Sequence, residues 1–450
     1  MQRLVAASQR GISLALVLLL LFTNAAWASQ RTLTIAGYDS IETILGFESR
    51  NRGVVIRQPE GFTDLFEAIR VNAVNQDTAV DIYIVPLLWG NFHRLREKGY
   101  CYNLQESSVL SGSVRRMYPQ LTGIFASEEG VWAYPLSASG SILCVNEHAR
   151  MELGITGAEL PATFEEFLEL AITWNDRYGD NAGGIQFWSY DTSSVNRMVS
   201  NLMDMYILYC DENGVDITFE NEQFEMLLSL IDDNRDALQA LDQQSPNPFG
   251  AEYLFSREDF TNSMSRNLGW MPLELSLYEE GTAYYPLILT VYFINPFSQN
   301  IDLAMEYLEY YSKHMDPATQ MILCQSYAQP VADPSVEAEI AFYEGEYERL
   351  KALAEAETGE KAAVQNLLAE AKDTLDWLAS KRWLLSEEDI AYYHGIVSKV
   401  AVLGKSTGVS LVREQFDPLV MKLIEGTVSV PEFLGKMQEI LRRMRLESET

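Results

Sequence analysis

Short apolar strands alternate with amphipathic helices along residues 31–88 of the chain. "RTLTIA" and "GVVI" are typical of strands, and the helix-like segment "SIETILGFESRN" lies between them. A second helical pattern, "LFEAIRVNAV", precedes the β-branched run "DIYIV", which stops at Pro86. The order β-α-β-α-β predicts an α/β fold with a doubly wound open sheet.

An open sheet of this kind binds its ligand at the carboxyl ends of the strands. Tyr38 and Asp39 follow the first strand, and Trp89 and Asn91 follow the third one. We therefore expect these four residues to line a ligand site.

Length and charge limit the class of protein. A chain of 450 residues is too long for one ordinary core, so two or more domains are expected. The net charge of −31 argues against binding to nucleic acid, because a phosphate backbone has to be neutralised by lysine and arginine. It also argues against anionic lipid. We interpret the charge as a source of solubility outside the cytoplasm.

The first residues have the pattern of a signal peptide. Arg3 and Arg10 precede the apolar run "LALVLLLLF", and the small residues Ala26 and Ala28 form an A-x-A cleavage site. We predict that residues 1–28 are removed and that the protein is exported. An uncleaved membrane anchor is the alternative. No other segment is long and apolar enough to span a bilayer.

Cysteine and histidine spacing predicts neither a metal site nor a cofactor. The four histidines are scattered singly, so no two have the spacing of metal ligands. The cysteines form no C-x-x-C pair, and each suits a lone buried thiol. Because export permits disulfides, pairing remains the alternative. The cysteines are Cys101, Cys144, Cys210 and Cys324.

Small residues interrupt the apolar stretch "EEGVWAYPLSASGSILCVN" at residues 128–146. Ser137, Ala138 and Ser139 fit either a close-packed crossing of strands or a point where the chain bends. Further on, residues 336–380 are rich in Glu, Ala, Lys and Leu. We interpret this acidic segment as a solvated helical hairpin, with a docking arm as the alternative.

Aromatic residues stand near predicted strand ends, mostly beside Gly, Pro, Ser or Asn. Flat rings with polar neighbours suit the faces of sugars and the apolar parts of other small ligands. The simpler interpretation is that most of these rings belong to the core. The residues are Trp89, Trp132, Tyr134, Trp188, Tyr190, Trp270, Tyr284 and Tyr285.

No catalytic motif is present. The chain has no G-x-S-x-G, H-E-x-x-H, Walker A or G-x-G-x-x-G sequence. A glycosidase pair of carboxylates stays possible, but a pair drawn from 64 acidic residues carries almost no information.

Several segments, in this order, resemble the extracellular solute-binding proteins of ABC importers, in the sugar-type branch that includes maltose-binding protein. "EEGVWAYPLSASGSILCVN" resembles the family's aromatic-Pro pair followed by a strand that ends in Asn, here Asn146. "LPATFEEFLELA" resembles its Pro-x-Thr helix start, and "LIEGTVSVPEFLGKMQEIL" its last helix. The segment "INPFSQNIDLAMEYLEYYSKHMDPATQ" resembles the start and body of another helix of the family. The matching residues are Asn295, Ser298, Asn300, Ala304, Tyr307 and Leu308. The lipid-attachment cysteine of many members is absent, and the acidic segment is longer than in the family.

The resemblance implies two α/β lobes that are joined by crossing strands, with a helical C-terminal region. Lobe one would contain residues 29–136 and 295–328, and lobe two would contain residues 137–294 and 329–450. Ser137, Ala138 and Ser139 would form the hinge, with further crossings near residues 290–295 and 329–333.

The implied function is capture of a small solute, most simply a carbohydrate, for delivery to the permease subunits of an ABC transporter. The mechanism is lobe closure without chemistry, and the protein is expected to be a monomer. A sensor or interaction subunit and a secreted glycan-active enzyme are the alternatives. The expected ligand-binding residues are Tyr38, Asp39, Trp89, Asn91, Tyr134, Ser137, Trp188, Trp270 and Glu274.

Overall fold

The computed structural model describes residues 31–59, 65–87, 92–179, 184–188, 193–243, 252–259, 269–279, 281–355, 361–404 and 410–448. The predicted signal segment and the candidates Trp89, Asn91 and Tyr190 lie outside these ranges. The fold class is α/β, as predicted. No helix within the described ranges combines the length and the apolar character that a membrane crossing requires.

Thirteen strands occur in the described residues. They are β1 Arg31–Ala36, β2 Val54–Arg57, β3 Ile82–Pro86, β4 Ala126–Ser127, β5 Gly130–Val131, β6 Tyr134–Asn146, β7 Gln186–Trp188, β8 Tyr253–Asp259, β9 Trp270–Pro272, β10 Tyr285–Ile294, β11 Val331–Ala332, β12 Trp383–Leu385 and β13 Val400–Val402.

The α-helices are Ile41–Arg50, Leu65–Val74, Phe92–Glu97, Ser108–Val114, Pro119–Thr122, Glu147–Glu152, Phe164–Tyr178, Ser194–Asn213, Glu222–Asp233, Arg235–Ala240, Ile301–His314, Pro317–Leu323, Pro334–Glu355, Lys361–Ser380, Glu387–Ile396, Ser410–Ile424 and Val430–Ser448. Short 3₁₀ turns span Leu104–Glu106, Gly157–Glu159, Leu241–Gln243 and Val397–Lys399.

The capping box that the sequence predicts at Thr163 is confirmed. The Thr163 side chain accepts a hydrogen bond from the backbone N–H of Glu166, and the Glu166 carboxylate accepts one from the backbone N–H of Thr163. This exchange satisfies two donors that a helix start leaves without a partner. The helix that follows buries Phe167 and Trp174.

One mixed sheet runs through the molecule in the order β2-β1-β3-β10-β6-β8-β7, with β13 beside β10 and β9 beside β6. The predicted β-α-β-α-β unit is present, because β1 lies parallel to both β2 and β3. β10 runs antiparallel to β3 and to β6, and β8 runs antiparallel to β6. β6 and β10 are therefore shared by the two ends of the sheet.

The apolar residues divide into two main cores that meet along β6. The first contains Leu33, Ile82 and Tyr292, and the second contains Phe167 and Phe255. The crossing strand contributes Ile142 to the first core and Val145 to the second one. Two cores served by one continuous strand match the two lobes implied by the resemblance.

The C-terminal region divides between the cores. Leu385, Ile390 and Tyr393 belong to the first core, whereas Phe433 belongs to the second. The sequence-based division instead placed all of residues 329–450 in lobe two. The difference arises because β13 pairs in parallel with β10, and this pairing brings residues 385–402 against the first core.

The acidic segment forms the predicted pair of helices, Pro334–Glu355 and Lys361–Ser380, which pack against each other. Leu350 and Leu378 are buried, while Phe342 and Trp377 are exposed.

Candidate functional site

The carboxyl ends of strands from both lobes meet at the middle of β6. Pro86, the last residue of β3, pairs with Thr290 on β10, and Thr290 pairs in turn with Ser137 on β6. Asp259, the last residue of β8, pairs with Ser141. Four residues of extended strand span about 13 Å. The strand ends that bind ligands in open α/β sheets therefore converge over residues 137–141, and we refer to the space above these residues as the cleft.

Hydroxyl groups cover one face of the crossing strands in this cleft. Because side chains alternate along a strand, Ser137, Ser139 and Ser141 share a face. Thr290 lies on that face opposite Ser137, and the register shifts directly after Thr290. Ser137 and Ser139 are exposed, and Ala138 between them is half-buried. The three expected hinge residues thus lie on the crossing strand shortly before the chain passes from the first core, which contains Ile142, to the second, which contains Val145.

Tyr38 is the exposed aromatic group on the lobe-one side, with 86% of its surface accessible. It follows Gly37, whose φ is +116°. A Cβ on Gly37 would come within 2.7 Å of the Ile84 Cβ, so this turn against β3 requires glycine. The chain then enters the helix Ile41–Arg50, which Ser40 caps. Tyr38 is therefore held at a strand end with its ring in solvent.

Asp39 lies beneath this surface and is only 2% exposed. The hydroxyls of Tyr292 and Tyr307 both donate to its Oδ2, and the backbone N–H of Ser40 donates to its Oδ1. Burial raises the pKa of the Asp39 carboxyl, although these three hydrogen bonds act in the opposite direction. The expected ligand contact of Asp39 is not part of our proposal, because both carboxylate oxygens already have partners inside lobe one.

Tyr134 and Trp188 are core residues in this structure. The hydroxyl of Tyr134 lies 2.7 Å from the Ser113 Oγ, and its ring meets Tyr311 edge to face. Burial raises the pKa of Tyr134 to about 12. The indole N–H of Trp188 donates to the Ser194 Oγ over 3.0 Å. Both rings are buried, so they belong to the core. This is the simpler of the two interpretations that the sequence allowed for the aromatic residues.

Trp188 nevertheless supports a charged group at the end of β7. The Arg197 guanidinium stacks 4.5 Å from the centre of the Trp188 ring. The Asp242 carboxylate accepts hydrogen bonds from the backbone N–H and the hydroxyl of Ser194. Burial lowers the pKa of Arg197, and the nearby charge of Arg257 adds to this effect. The second lobe therefore places two guanidinium groups close together near the ends of β7 and β8.

Arg257 borders a small cavity next to the crossing strand. Its Nε donates to the Ser141 Oγ over 3.1 Å, and its Nη1 donates to the Asn201 Oδ1 over 3.2 Å. The cavity has a volume of about 60 Å³ and is also lined by Asp204 and Tyr285. Among the described residues the buried hydroxyl of Tyr285 has no hydrogen-bond partner. Hydroxyl, amide and guanidinium groups therefore lie together beside Ser141 of the crossing strand.

Arg257, Asn201 and Asp204 were not among the residues expected from the sequence. Asn201 and Asp204 lie inside a long helix and have no signal of their own. Arg257 could have been found, because "EYLFSRED" is a strand to which the rule of carboxyl ends applies.

Trp270 lies away from the centre of the cleft. Trp270 pairs with Asn146, five residues beyond Ser141 along β6, which corresponds to about 17 Å of strand. The carboxylate of Glu274 forms an ion pair with the Nζ of Lys399. β9 runs antiparallel to β6, so its first residue, Trp270, is at the end remote from the cleft. Trp270 is therefore not part of our proposed site, whereas a contact between Glu274 and the solute stays a prediction.

No disulfide joins any of the four cysteines, all of which lie in the described residues. Cys101, Cys144 and Cys210 are buried, and Cys324 is half-buried. Burial raises the pKa of the Cys210 thiol to about 11 and also raises the pKa of the Cys324 thiol. Neutral, buried thiols of this kind are unreactive packing groups.

The likeness to known proteins is structural. No family model and no curated protein matches the sequence. Solved structures with the same fold include the GacH receptor of Streptomyces glaucescens, determined unliganded and in complex with acarbose (TM-score 0.57, 13% identity, 92% of this chain and 98% of that chain). The chain has the fold of the ABC-importer solute-binding proteins.

Two further proteins illustrate this solute-binding fold. A sugar transporter of Bacillus licheniformis, in complex with stachyose, has a TM-score of 0.55 at 14% identity, over 92% of this chain and 100% of that chain. An ABC substrate-binding protein of Listeria monocytogenes, in complex with cycloalternan, has a TM-score of 0.54 at 11% identity, over 93% and 99% of the two chains. The fold implied by the resemblance is confirmed.

Proposed function

We propose that the protein captures a small carbohydrate between its lobes and delivers it to the permease of an ABC importer. The observation that carries this proposal is the meeting of strand ends from both lobes over Ser137–Ser141 of the crossing strand. A solute in that position would contact both lobes at once. Its binding energy would then favour the closed arrangement over the open one.

The chemistry of the cleft suits a sugar. A sugar ring has apolar C–H faces and a rim of hydroxyls that both donate and accept hydrogen bonds. Tyr38 offers an exposed flat ring. Ser137, Ser139 and Asn201 offer groups of both kinds, and Arg257 adds a charged donor. The solved proteins of the same fold that bind acarbose, stachyose and cycloalternan support this class of ligand.

Closure would use the short side chains at Ser137, Ala138 and Ser139. They pair with residues 288–290 of β10, a few residues before β6 passes from the first core at Ile142 to the second core at Val145. Small side chains leave room for the changes in φ and ψ that a hinge absorbs. In this proposal the protein is exported, acts as a monomer, needs no cofactor and performs no chemistry on its solute.

A thermal-shift screen of residues 29–450 tests the function directly. The probes are mono- and oligosaccharides, with peptides and polyamines as comparison classes, and each mixture is also analysed for products. A solute at a hundred times its Kd should raise the free energy of unfolding by about 2.7 kcal/mol. Stabilisation by a sugar without product formation supports the proposal. Product formation would favour the glycan-active enzyme, and stabilisation only by a peptide or polyamine would exclude a carbohydrate.

Replacing Arg257 by Ala should weaken binding of the sugar found in that screen by about ten- to a hundredfold. The expected cause is the loss of a charged hydrogen bond, which contributes about 1.5–3 kcal/mol. Isothermal titration calorimetry measures the change in Kd. Arg349→Ala is the matched control, because Arg349 is equally a surface arginine but pairs with Glu346 on the acidic hairpin. Equal affinities of the two variants would remove Arg257 from the site.

A further inference from the structure

We propose that His148, Glu152 and Glu252 form a binding site for a divalent transition-metal ion such as Zn²⁺. One ligand atom from each of the three side chains lies within 4.8 Å of the other two. The Nδ1 of His148 is 2.8 Å from the Oε1 of Glu252. In the described part of the chain, no other group of three His, Cys, Asp or Glu residues meets this condition.

The local fold brings the three ligands together from two elements. The Asn146 side chain caps the helix Glu147–Glu152 by accepting from the backbone N–H groups of His148 and Ala149. His148 and Glu152 are four residues apart, so they project from the same face of this helix. Glu252 directly precedes β8, whose residue Phe255 pairs with Val145 of β6. A bound ion would link the helix to the start of β8.

The charges around the cluster leave it available for a cation. Glu147, at the start of the same helix, is already neutralised by Arg150. No lysine or arginine among the described residues forms an ion pair with Glu152 or Glu252. The His148 imidazole pairs with Glu252 and has a nitrogen within 4.8 Å of a Glu152 oxygen. Glu152 and Glu252 carry two negative charges, and the single imidazole of His148 can balance at most one of them. The cluster therefore has an excess of negative charge where an ion would bind.

The ligand set selects the kind of metal. In a tetrahedral site with metal–ligand bonds of 2.0–2.2 Å, ligand atoms are about 3.4 Å apart. The three ligand atoms lie within 4.8 Å of one another and the closest pair is at 2.8 Å, so side-chain adjustments of about 1 Å suffice to reach this spacing. His148 and Glu152 are exposed and can make this movement. One imidazole and two carboxylates suit Zn²⁺ with water in the remaining position. Ca²⁺ prefers six to eight oxygen ligands, which this cluster does not provide.

This site would act separately from the sugar cleft. His148 follows Asn146, which is five residues beyond Ser141, or about 17 Å along the strand. We therefore expect the ion to stabilise the second lobe without contacting the solute.

Calorimetric titration of ZnCl₂ into the EDTA-treated protein, prepared without a polyhistidine tag, tests the site. We expect one Zn²⁺ per chain, a Zn²⁺-dependent rise in Tm, and no binding of Ca²⁺ at the same concentration. His148→Ala and Glu252→Gln should each weaken Zn²⁺ binding at least tenfold. Their Tm values in EDTA should stay close to that of the unaltered protein, because the altered side chains are at the surface.

The chain contains a matched control for this experiment. His93 and Glu97 form the same i, i+4 pair, with 3.2 Å between the His93 Nδ1 and a Glu97 oxygen, but within the described ranges they belong to no three-residue cluster. His93→Ala should therefore leave Zn²⁺ affinity and stoichiometry unchanged. Unchanged Zn²⁺ affinity in His148→Ala or in Glu252→Gln would overturn the proposal, and so would a tenfold loss in His93→Ala. Sugar affinity, measured in the same variants, reports on the cleft independently.

Discussion

Replacing Asp39 by Ala should lower the free energy of unfolding by about 2–4 kcal/mol. The reason is that the hydroxyls of Tyr292 and Tyr307, both in fully buried side chains, would lose their shared acceptor. Each buried donor left without a partner costs about 1–3 kcal/mol. The buried carboxyl of Asp39, whose pKa is raised by burial, is itself costly to bury, and its removal offsets part of this loss. The expected decrease is therefore smaller than the combined cost of two unpaired donors could be.

Urea unfolding, followed by tryptophan fluorescence and by circular dichroism, measures this change. Asp302→Ala is the matched control, since Asp302 is an exposed aspartate in the first turn of the helix Ile301–His314 that also carries Tyr307. We expect less than about 0.5 kcal/mol for the control. A stable Asp39→Ala variant with weakened sugar binding would show instead that Asp39 contacts the solute, as the sequence analysis first predicted.

Replacing Tyr38 by Ala should weaken sugar binding by about five- to a hundredfold while leaving stability unchanged. A stacked ring removes apolar surface of the sugar from water, and its loss is expected to cost about 1–3 kcal/mol. Because the Tyr38 ring is in solvent, its removal leaves no cavity in the core. Titration calorimetry with the sugar from the screen gives the affinity, and thermal unfolding gives the stability.

Two further variants make this experiment decisive. Tyr38→Phe keeps the ring and should retain most of the affinity, which separates stacking from hydrogen bonding by the hydroxyl. Phe342→Ala removes another exposed aromatic side chain, at 64% exposure, from the acidic hairpin and should have no effect. If Tyr38→Ala bound the sugar as tightly as the unaltered protein, the aromatic wall of lobe one would have to be assigned elsewhere.

Much of the fold could be predicted because it depends on local pattern. The periods of strands and helices in residues 31–88, the capping box at Thr163 and the small residues at 137–139 can each be recognised within a short window. The rule of carboxyl ends placed Tyr38 at an exposed strand end without any knowledge of its neighbours. The rule gave no information about the direction of a side chain, so Asp39, the next residue, was assigned to the same surface.

Contacts between distant segments decided the rest. The partners of Asp39 are 253 and 268 residues away in sequence, and Arg257 meets Ser141 across 116 residues. His148 and Glu252, separated by 104 residues, meet only because β6 and β8 pair. The sequence by itself determined the alternation of elements, the small crossing residues and an aromatic residue at a strand end. Tertiary structure decided which polar groups are buried and which share a site, because burial and pairing depend on strand register, and no local period encodes the register between distant strands.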